Sequence, residues 1–402
     1  MIKIPNYVEK ILKRLEYSGF EAYVVGGCVR DSFRGVEPLD WDVCTSAKPE
    51  QVTSVFKGFL SVIPTGIKHG TVTVLSENTP VEITTYRTDG DYLNSRHPEK
   101  VQFISSITED LARRDFTVNA MAYHPQKGLV DPFGGRYDIQ NKIIRCVGEP
   151  QKRFNEDALR ILRAIRFAAV CEFDIEADTA TAIHKHCDLL NNISVERVLS
   201  EITKLLCAER PSKILIEYRN LFEIFFIDFS DLIYIKMTDI LPTNVYLRLS
   251  AALGNLSNDD LKLFLRKMKV PNKIKNKVEC ILGNRTFPIP ETKADTKRML
   301  RRFGIENTLD ILTFMQAKET IAGGEFSAPV IAKKLVDEII INDECFSVKD
   351  LNISGSDLID IGIQKGTEIG KILDSVLEFV IDETIVNQKS ELIKAAKRIY
   401  EL

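Results

Sequence analysis

In Leu39-Asp40-Trp41-Asp42-Val43-Cys44, two aspartates stand two residues apart in an extended, apolar-flanked stretch. Side chains alternate along a strand, so Asp40 and Asp42 are expected on one face. Neighbouring carboxylates repel each other unless something positive lies between them. Mg²⁺ suits that position, because it takes oxygen ligands and completes its shell with substrate phosphates. A third acid, Glu82 in Val81-Glu82-Ile83-Thr84, falls on another predicted strand and could complete the site. A polar edge strand would carry the same two aspartates, so their meaning depends on their neighbours.

Upstream, Ala22-Tyr23-Val24-Val25-Gly26-Gly27-Cys28-Val29-Arg30-Asp31 reads as a strand, a double glycine and the start of a helix. Glycines let backbone amides approach an anion closely, and a helix N-terminus favours negative charge. A glycine turn for a triphosphate, followed by a strand with paired carboxylates for metals, is the layout of a nucleotidyltransferase palm.

A second informative segment runs from Arg153 to Phe167 and reads as part of one helix over 155–170, with Asn155 as N-cap. At about 100° per residue, Arg153, Glu156, Asp157, Arg160 and Arg163 share one side of it. Leu159, Ile161, Leu162 and Ile165 occupy most of the rest, so the charged stripe should face a cleft. Taken alone, Asp157 and Arg160 have the spacing of an i,i+3 ion pair. Beside a palm, the pair acquires a chemistry. Cytosine and adenine each present an exocyclic amine next to a ring-nitrogen acceptor, which an Asp and an Arg can meet together. Guanine and uracil present a carbonyl beside N–H and would clash with both. Buried mispaired polar groups cost about 1–3 kcal/mol, enough to discriminate strongly.

The elements that must position these residues change character along the chain. Short β-rich runs fall at 21–25, 39–44, 71–75, 81–86, 101–104 and 143–147, punctuated by Gly26-Gly27, Pro64-Thr65-Gly66, Asp89-Gly90 and Pro132-Phe133-Gly134-Gly135. After Phe154 helical periodicity takes over, at 155–170, 194–207, 211–222, 257–267 and 294–303. The expectation is an α+β protein: an N-terminal mixed-sheet head followed by an all-helical remainder. At 402 residues, 44% hydrophobic and 28% charged, the composition excludes disorder, a fibre or a disulfide-stapled miniature. No apolar run nears the roughly 18–20 residues of a membrane span. Eight cysteines without a CxxC, and no visible leader, suggest a reduced cytoplasmic chain.

Four motifs in order resemble the class II tRNA nucleotidyltransferases, whose superfamily includes bacterial poly(A) polymerases. They are Gly26-Gly27-x-Val29-Arg30-Asp31 with Asp40-Trp41-Asp42; Arg113-Arg114-Asp115-Phe116-Thr117-x-Asn119-Ala120-Met121; Asp131-Pro132-Phe133-Gly134-Gly135; and Arg153-Phe154-x-Glu156-Asp157-x-x-Arg160. Ile353-Ser354-Gly355-x-Asp357-Leu358 with Gly366-x-x-Ile369-Gly370-Lys371 is similar to the tail of bacterial CCA-adding enzymes. The resemblance implies CCA addition to tRNA 3′ ends from CTP and ATP, with Mg²⁺ as cofactor. It assigns Asp40, Asp42 and Glu82 to metal and catalysis. It gives Arg114, Asp115 and Asn119 to the ribose, and Asp157 and Arg160 to the base. Gly26, Gly27, Arg30, Arg163 and Arg166 join the nucleotide site, and Ser194 through Glu201 braces the template helix.

The same resemblance implies a head over 1–142, a neck over 143–208, a body over 209–310 and a tRNA-binding tail over 311–402. It also implies a flexible loop over 88–98, which CC-only relatives lack. An A-adding or poly(A)-forming enzyme, or a binding module without catalysis, are the alternative readings. Although the net charge is −3, residues 262–302 hold thirteen lysines and arginines against Glu279, Glu291 and Asp295. Such a block suits a phosphate backbone, with Lys273, Lys275, Lys277, Arg298 and Arg301 as expected RNA contacts.

Overall fold

The computed structural model describes residues 2–89, 92–93, 97–98, 101–225, 229–324 and 328–401. The chain divides into two compact units, residues 1–227 and 228–402. Predicted head and neck therefore share the first unit.

Thirteen strands are described in the first unit: β1 (Ala22–Val25), β2 (Asp42–Thr45), β3 (Ser61–Gly66), β4 (Thr71–Ser76), β5 (Thr79–Thr85), β6 (Arg87–Asp89), β7 (Tyr92–Leu93), β8 (His97–Pro98), β9 (Val101–Phe103), β10 (Ala122–His124), β11 (Gly128–Val130), β12 (Ile143–Ile144) and β13 (Asp174–Ile175). Seven form one mixed sheet in the order β11-β10-β1-β2-β5-β4-β3. Within it β2 and β5 are parallel and the other neighbours antiparallel. Alternation on β5 is clear: Val81, Ile83 and Thr85 are buried while Glu82 and Thr84 face outward. One side of the sheet packs Tyr23, Val25, Cys44 and Ala122 against Tyr86, Leu111 and Val147.

Several boundaries differ from the sequence reading. The strand expected over 39–44 begins only at Asp42, leaving Asp40 in the run-in. Pro64, Thr65 and Gly66, read as a turn, end β3, where the register slips between Ile63 and Gly66. A proline is tolerated there because β3 is an edge strand. β10 and β11 were not anticipated, since three residues are too few to show a period of two. The loop expected over 88–98 falls partly outside the described residues.

The helix expected over 155–170 is two helices. Those of the first unit are α1 (Asn6–Tyr17), α2 (Gly27–Phe33), α3 (Pro49–Phe56), α4 (Ile107–Ala112), α5 (Gly135–Gln140), α6 (Pro150–Glu156), α7 (Leu159–Cys171), α8 (Ala177–His186) and α9 (Val195–Leu206), with two shorter ones at Ser212–Glu217 and Arg219–Glu223. Asn155 lies inside α6 and caps nothing. Asp157 breaks the path with an extended backbone, φ −146° and ψ 104°, and its Oδ1 accepts from the Leu159 amide at 3.1 Å. Aspartate competes with the backbone in this way, which disfavours it within helices. Ser194, expected as a cap, does stand at the N-cap of α9, but its side chain accepts no hydrogen bond from the first turn.

The second unit is helical throughout its described residues. One of its cores joins Met299, Leu300, Ile311 and Leu312 to Ala332, Val336 and Ile339. A second gathers Leu358, Val376, Leu377, Leu392 and Ala396. The expected body–tail boundary at 310 falls inside the helix Lys293–Ile321. That helix is interrupted instead at Gly304, whose φ of 73° suits a residue without Cβ. No helix among the described residues is long and apolar enough to cross a membrane.

Three of the five expected RNA contacts in the basic run are paired with acids outside it. Lys277 meets Asp310 and Glu306, each at 2.9 Å. Arg298 pairs with Glu378 and Asp382, and Arg301 with Glu378 and Asp374. Lys275 stands 4.0 Å from Glu279, and Lys273 is exposed.

Candidate active site

A cleft of about 610 Å³ in the first unit collects nearly every site residue expected there. Asp42 and Glu82 are register partners on the parallel pair β2 and β5, so both carboxylates leave the sheet on one face. Asp40 joins them from the run-in. Burial pushes the Asp42 carboxyl up to about 6, with Glu82 and Asp40 pushing the same way and Arg114 opposing. Such a cluster favours a cation. Among the described residues the acids do not close into a preformed three-ligand cage. That still fits Mg²⁺, which is usually held by one or two carboxylates together with substrate phosphates.

Opposite these acids, Gly26 opens α2 with φ 78°, and a Cβ there would come 3.0 Å from Arg114 Nη1. Both the conformation and the close approach require glycine. Behind the turn runs a chain of buried polar groups. Arg30 Nη1 donates to Asn119 Oδ1 at 2.7 Å, Asn119 Nδ2 to Asp115 Oδ1 at 3.2 Å, and Arg163 Nε to Asp115 Oδ2 at 2.7 Å. Asp31 holds the other edge of Arg30 through two hydrogen bonds.

Burial alone would raise the Asp115 carboxyl, but Arg163 and Arg160, with hydrogen bonds from Arg163 and Asn119, hold it at about 2. A carboxyl depressed below its ordinary 3.8 adds stability above that value, and the gain is lost as pH falls through about 2. The thermal midpoint of the wild type should therefore drop between pH 4 and pH 2 more steeply than that of Asp115→Asn. Parallel slopes for the two would remove this role.

On another part of the lining, the break between α6 and α7 sets Asp157 and Arg160 in place. Arg197 Nη2 donates to Asp157 Oδ2 at 2.7 Å. Arg160 Nη1 donates to Glu156 Oε2 at 2.5 Å and to the Arg153 carbonyl at 3.2 Å, while Nη2 donates to the Arg113 carbonyl at 3.0 Å. The ion-pair partners in the structure are thus Glu156 for Arg160 and Arg197 for Asp157. Glu201, four residues beyond Arg197, stands 3.0 Å from Arg166 Nε. Arg197 and Glu201 of α9 therefore touch Asp157 and, on α7, Arg166.

Sequence reasoning missed part of the lining. Thr84 follows Glu82 by two on β5, and its hydroxyl lies 3.1 Å from that of Thr71. The period-two signal for it was present. The Phe167 ring is approached by Arg166 at 4.1 Å, Arg30 at 5.0 Å and Arg163 at 5.2 Å. Contacts of this kind attract a cation to the ring face. Lys273, Lys275, Lys277, Arg298 and Arg301 belong to the second unit and do not line this cleft.

Eight arginines and five carboxylates line the cleft, a balance that suits a nucleoside triphosphate accompanied by a cation. The class so defined is the nucleotidyltransferases with a poly(A) polymerase head. Residues 22–145 match the poly A polymerase head domain family, residues 172–231 the probable RNA and SrmB-binding site of polymerase A, and residues 243–396 domain 2 of tRNA nucleotidyltransferases. The chain belongs to the CCA-adding enzymes, the class II tRNA nucleotidyltransferases.

It is 34% identical to the CCA-adding enzyme of Ligilactobacillus salivarius, over 99% of this chain and 98% of that one. It is 35% identical to that of Lactococcus lactis subsp. cremoris, over 98% and 96%. A crystal structure of the Bacillus stearothermophilus CCA-adding enzyme in complex with CTP superposes with a TM-score of 0.82 at 32% identity, covering 99% of this chain and 98% of the other.

Proposed function

We propose that this protein builds and repairs the 3′-terminal CCA of tRNA, adding nucleotides from CTP and ATP and releasing pyrophosphate. The observation that carries this reading is one cleft lined both by Asp40, Asp42 and Glu82 and by Asp157 and Arg160. The tRNA 3′-oxygen forms a bond to the α-phosphorus as the bond from that phosphorus to the pyrophosphate oxygen breaks, and the hydroxyl proton leaves to water. Mg²⁺ bound by Asp40 and Asp42, with Glu82 beside them, would supply charge to activate the hydroxyl and stabilise the departing pyrophosphate.

The remaining work belongs to side chains. Gly26 and Gly27 give the triphosphate room, and Arg30 and Arg114 face its charge. Asp115 and Asn119, cross-linked to Arg30 and Arg163, orient the ribose. Arg166, held by Glu201, adds positive charge beside Phe167. Asp157 accepts from the exocyclic amine of cytosine or adenine while Arg160 donates to the adjacent ring nitrogen. Because both are braced by other residues, their polarity is set before the base arrives. The test is pyrophosphate release with labelled CMP incorporation into a tRNA lacking CCA, in the presence of Mg²⁺. CTP consumption without label on the RNA would overturn the reading.

Contact with the tRNA backbone by the second unit is part of the same proposal. Lys273 and Lys275 carry it first, because Lys277, Arg298 and Arg301 are engaged by neighbouring acids. Replacing Lys273 and Lys275 by alanine should weaken tRNA binding and reduce the slope of log affinity against log salt by about two. Lys277→Ala, which takes the cation away from Asp310, should instead lower the melting temperature and change the slope less. An unaltered slope in the double variant would return Lys273 and Lys275 to the solvated surface.

A further inference from the structure

Asp110 lies on α4, three residues before the motif that opens at Arg113, and its side chain is almost wholly buried. One carboxylate there serves three groups. Its Oδ1 accepts from Arg113 Nε at 3.1 Å, from Arg113 Nη2 at 2.9 Å and from the Arg87 backbone amide at 3.2 Å. Its Oδ2 accepts from Arg114 Nη2 at 3.4 Å. Arg87, Arg113 and Arg114 all line the cleft. Arg114 is the member that meets the glycine turn. Its Nη1 lies against Gly26, and its charge acts on Asp42 across the cleft.

The Arg114 Nε is buried and makes no hydrogen bond within the protein. The side chain is thus oriented from behind by a single long contact and keeps an unmet donor. A buried donor of that kind carries a desolvation cost until an acceptor arrives. Arg113 contributes differently, since its carbonyl accepts from Arg160. The carboxylate behind Arg113 and Arg114 therefore stands at the junction of the glycine turn and the base-reading pair.

We infer that Asp110 is a positioning residue for nucleotide binding, acting through Arg114 and Arg113 rather than by touching the nucleotide. The inference rests on the reading of the cleft as a CTP and ATP site. Burial would raise the Asp110 carboxyl, but Arg114 and Arg113 outweigh it and keep it below the ordinary carboxylate range, so the clamp is charged at neutral pH. What recommends a positioning role over a purely structural one is the destination of the partners. A carboxylate serving the fold alone would be paired with groups that end in the core, whereas these end in the cleft.

The experiment is direct CTP binding by equilibrium dialysis with Mg²⁺, on the full-length wild type, Asp110→Asn, Arg114→Ala and the double variant. Asp110→Asn keeps the shape and removes the charge. It should weaken CTP about tenfold, as expected for one lost charge-assisted contact, while CMP binding changes little. The double variant should bind little worse than Arg114→Ala, because most of the effect of Asp110 passes through Arg114 and only the remainder through Arg113. KM for CTP and for ATP should rise together, with the preference for CTP over UTP unchanged.

If Asp110→Asn leaves too little folded protein, Asp110→Glu keeps the charge and displaces it by one methylene. It should weaken CTP in the same direction, with a dissociation constant that does not depend on the folded fraction. Wild-type CTP affinity in Asp110→Asn or in Asp110→Glu, or losses that add fully in the double variant, would overturn the inference. A wild type that binds CTP but never extends tRNA would instead sink the functional reading and leave the binding comparison decisive for Asp110.

Discussion

Asp40→Ala and Asp42→Ala should each lower the single-turnover incorporation of both CMP and AMP by on the order of a thousandfold, the equivalent of about 4 kcal/mol of transition-state stabilisation. The loss should be common to both nucleotides, because the role proposed for these carboxylates is at the reacting phosphate and not at the base. Stability should move in the opposite sense to activity. The Asp42 carboxyl is held at about 6 by burial and by its acidic neighbours, so in the absence of a cation the cluster is strained. Removing one member relieves repulsion, and the melting temperature without divalent cation should be unchanged or higher. Mg²⁺ should raise the melting temperature of the wild type and fail to do so in either variant. A variant with near-normal incorporation, or with wild-type stabilisation by Mg²⁺, would remove the assignment of these carboxylates to metal.

Changes at Asp157 and Arg160 should alter which nucleotide is chosen more than how fast the chemistry runs. Losing one side of the donor–acceptor match should relax discrimination against UTP and GTP by about ten- to a hundredfold. Asp157→Asn preserves volume and presents an amide that can either donate or accept, so uracil O4 and guanine O6 cease to be repelled. It also leaves Arg197 with a neutral partner in place of its carboxylate. Arg160→Lys keeps the charge but loses the planar fork that Glu156 and two backbone carbonyls hold flat. Its selectivity should therefore fall although a cation remains. The readout is incorporation of each of the four nucleotides on a tRNA ending before CCA, with Asp40→Ala as the inactive control. Full selectivity in both variants would make the pair structural and place base selection elsewhere.

How much of this was legible in the sequence follows from which interactions are local. Gly26-Gly27 and Asp40-x-Asp42 announce themselves because a turn and a strand need only a few residues to be recognised. Glu82 stood out as a third acid on another predicted strand, although only the parallel register with β2 puts it beside Asp42. The break at Asp157 was hidden by the apolar periodicity on either side of it, which fits one helix as well as two. The partners of Asp157 and Arg160 turned on that break, so the i,i+3 pairing drawn from a continuous helix was misplaced. The pairing within the basic run was hidden for the opposite reason. The acids that pair with it, Glu306, Asp310, Asp374, Glu378 and Asp382, stand about 30 to 80 residues along the chain from the cations they meet. Asp110 was invisible as a site residue, because an aspartate on a short helix gains its importance only when the arginines it holds are seen to end in the cleft.

The central claim is that one cleft selects C and A in turn to complete a tRNA end. It is tested most directly by incubating the purified protein with CTP, ATP and Mg²⁺ on three tRNAs, ending before CCA, in CC, and in complete CCA, and then sequencing their 3′ ends. The account predicts CCA on the first, a single A on the second, and no net extension of the third. A first tRNA that stops at CC, or that receives A alone or a run of A, would contradict it.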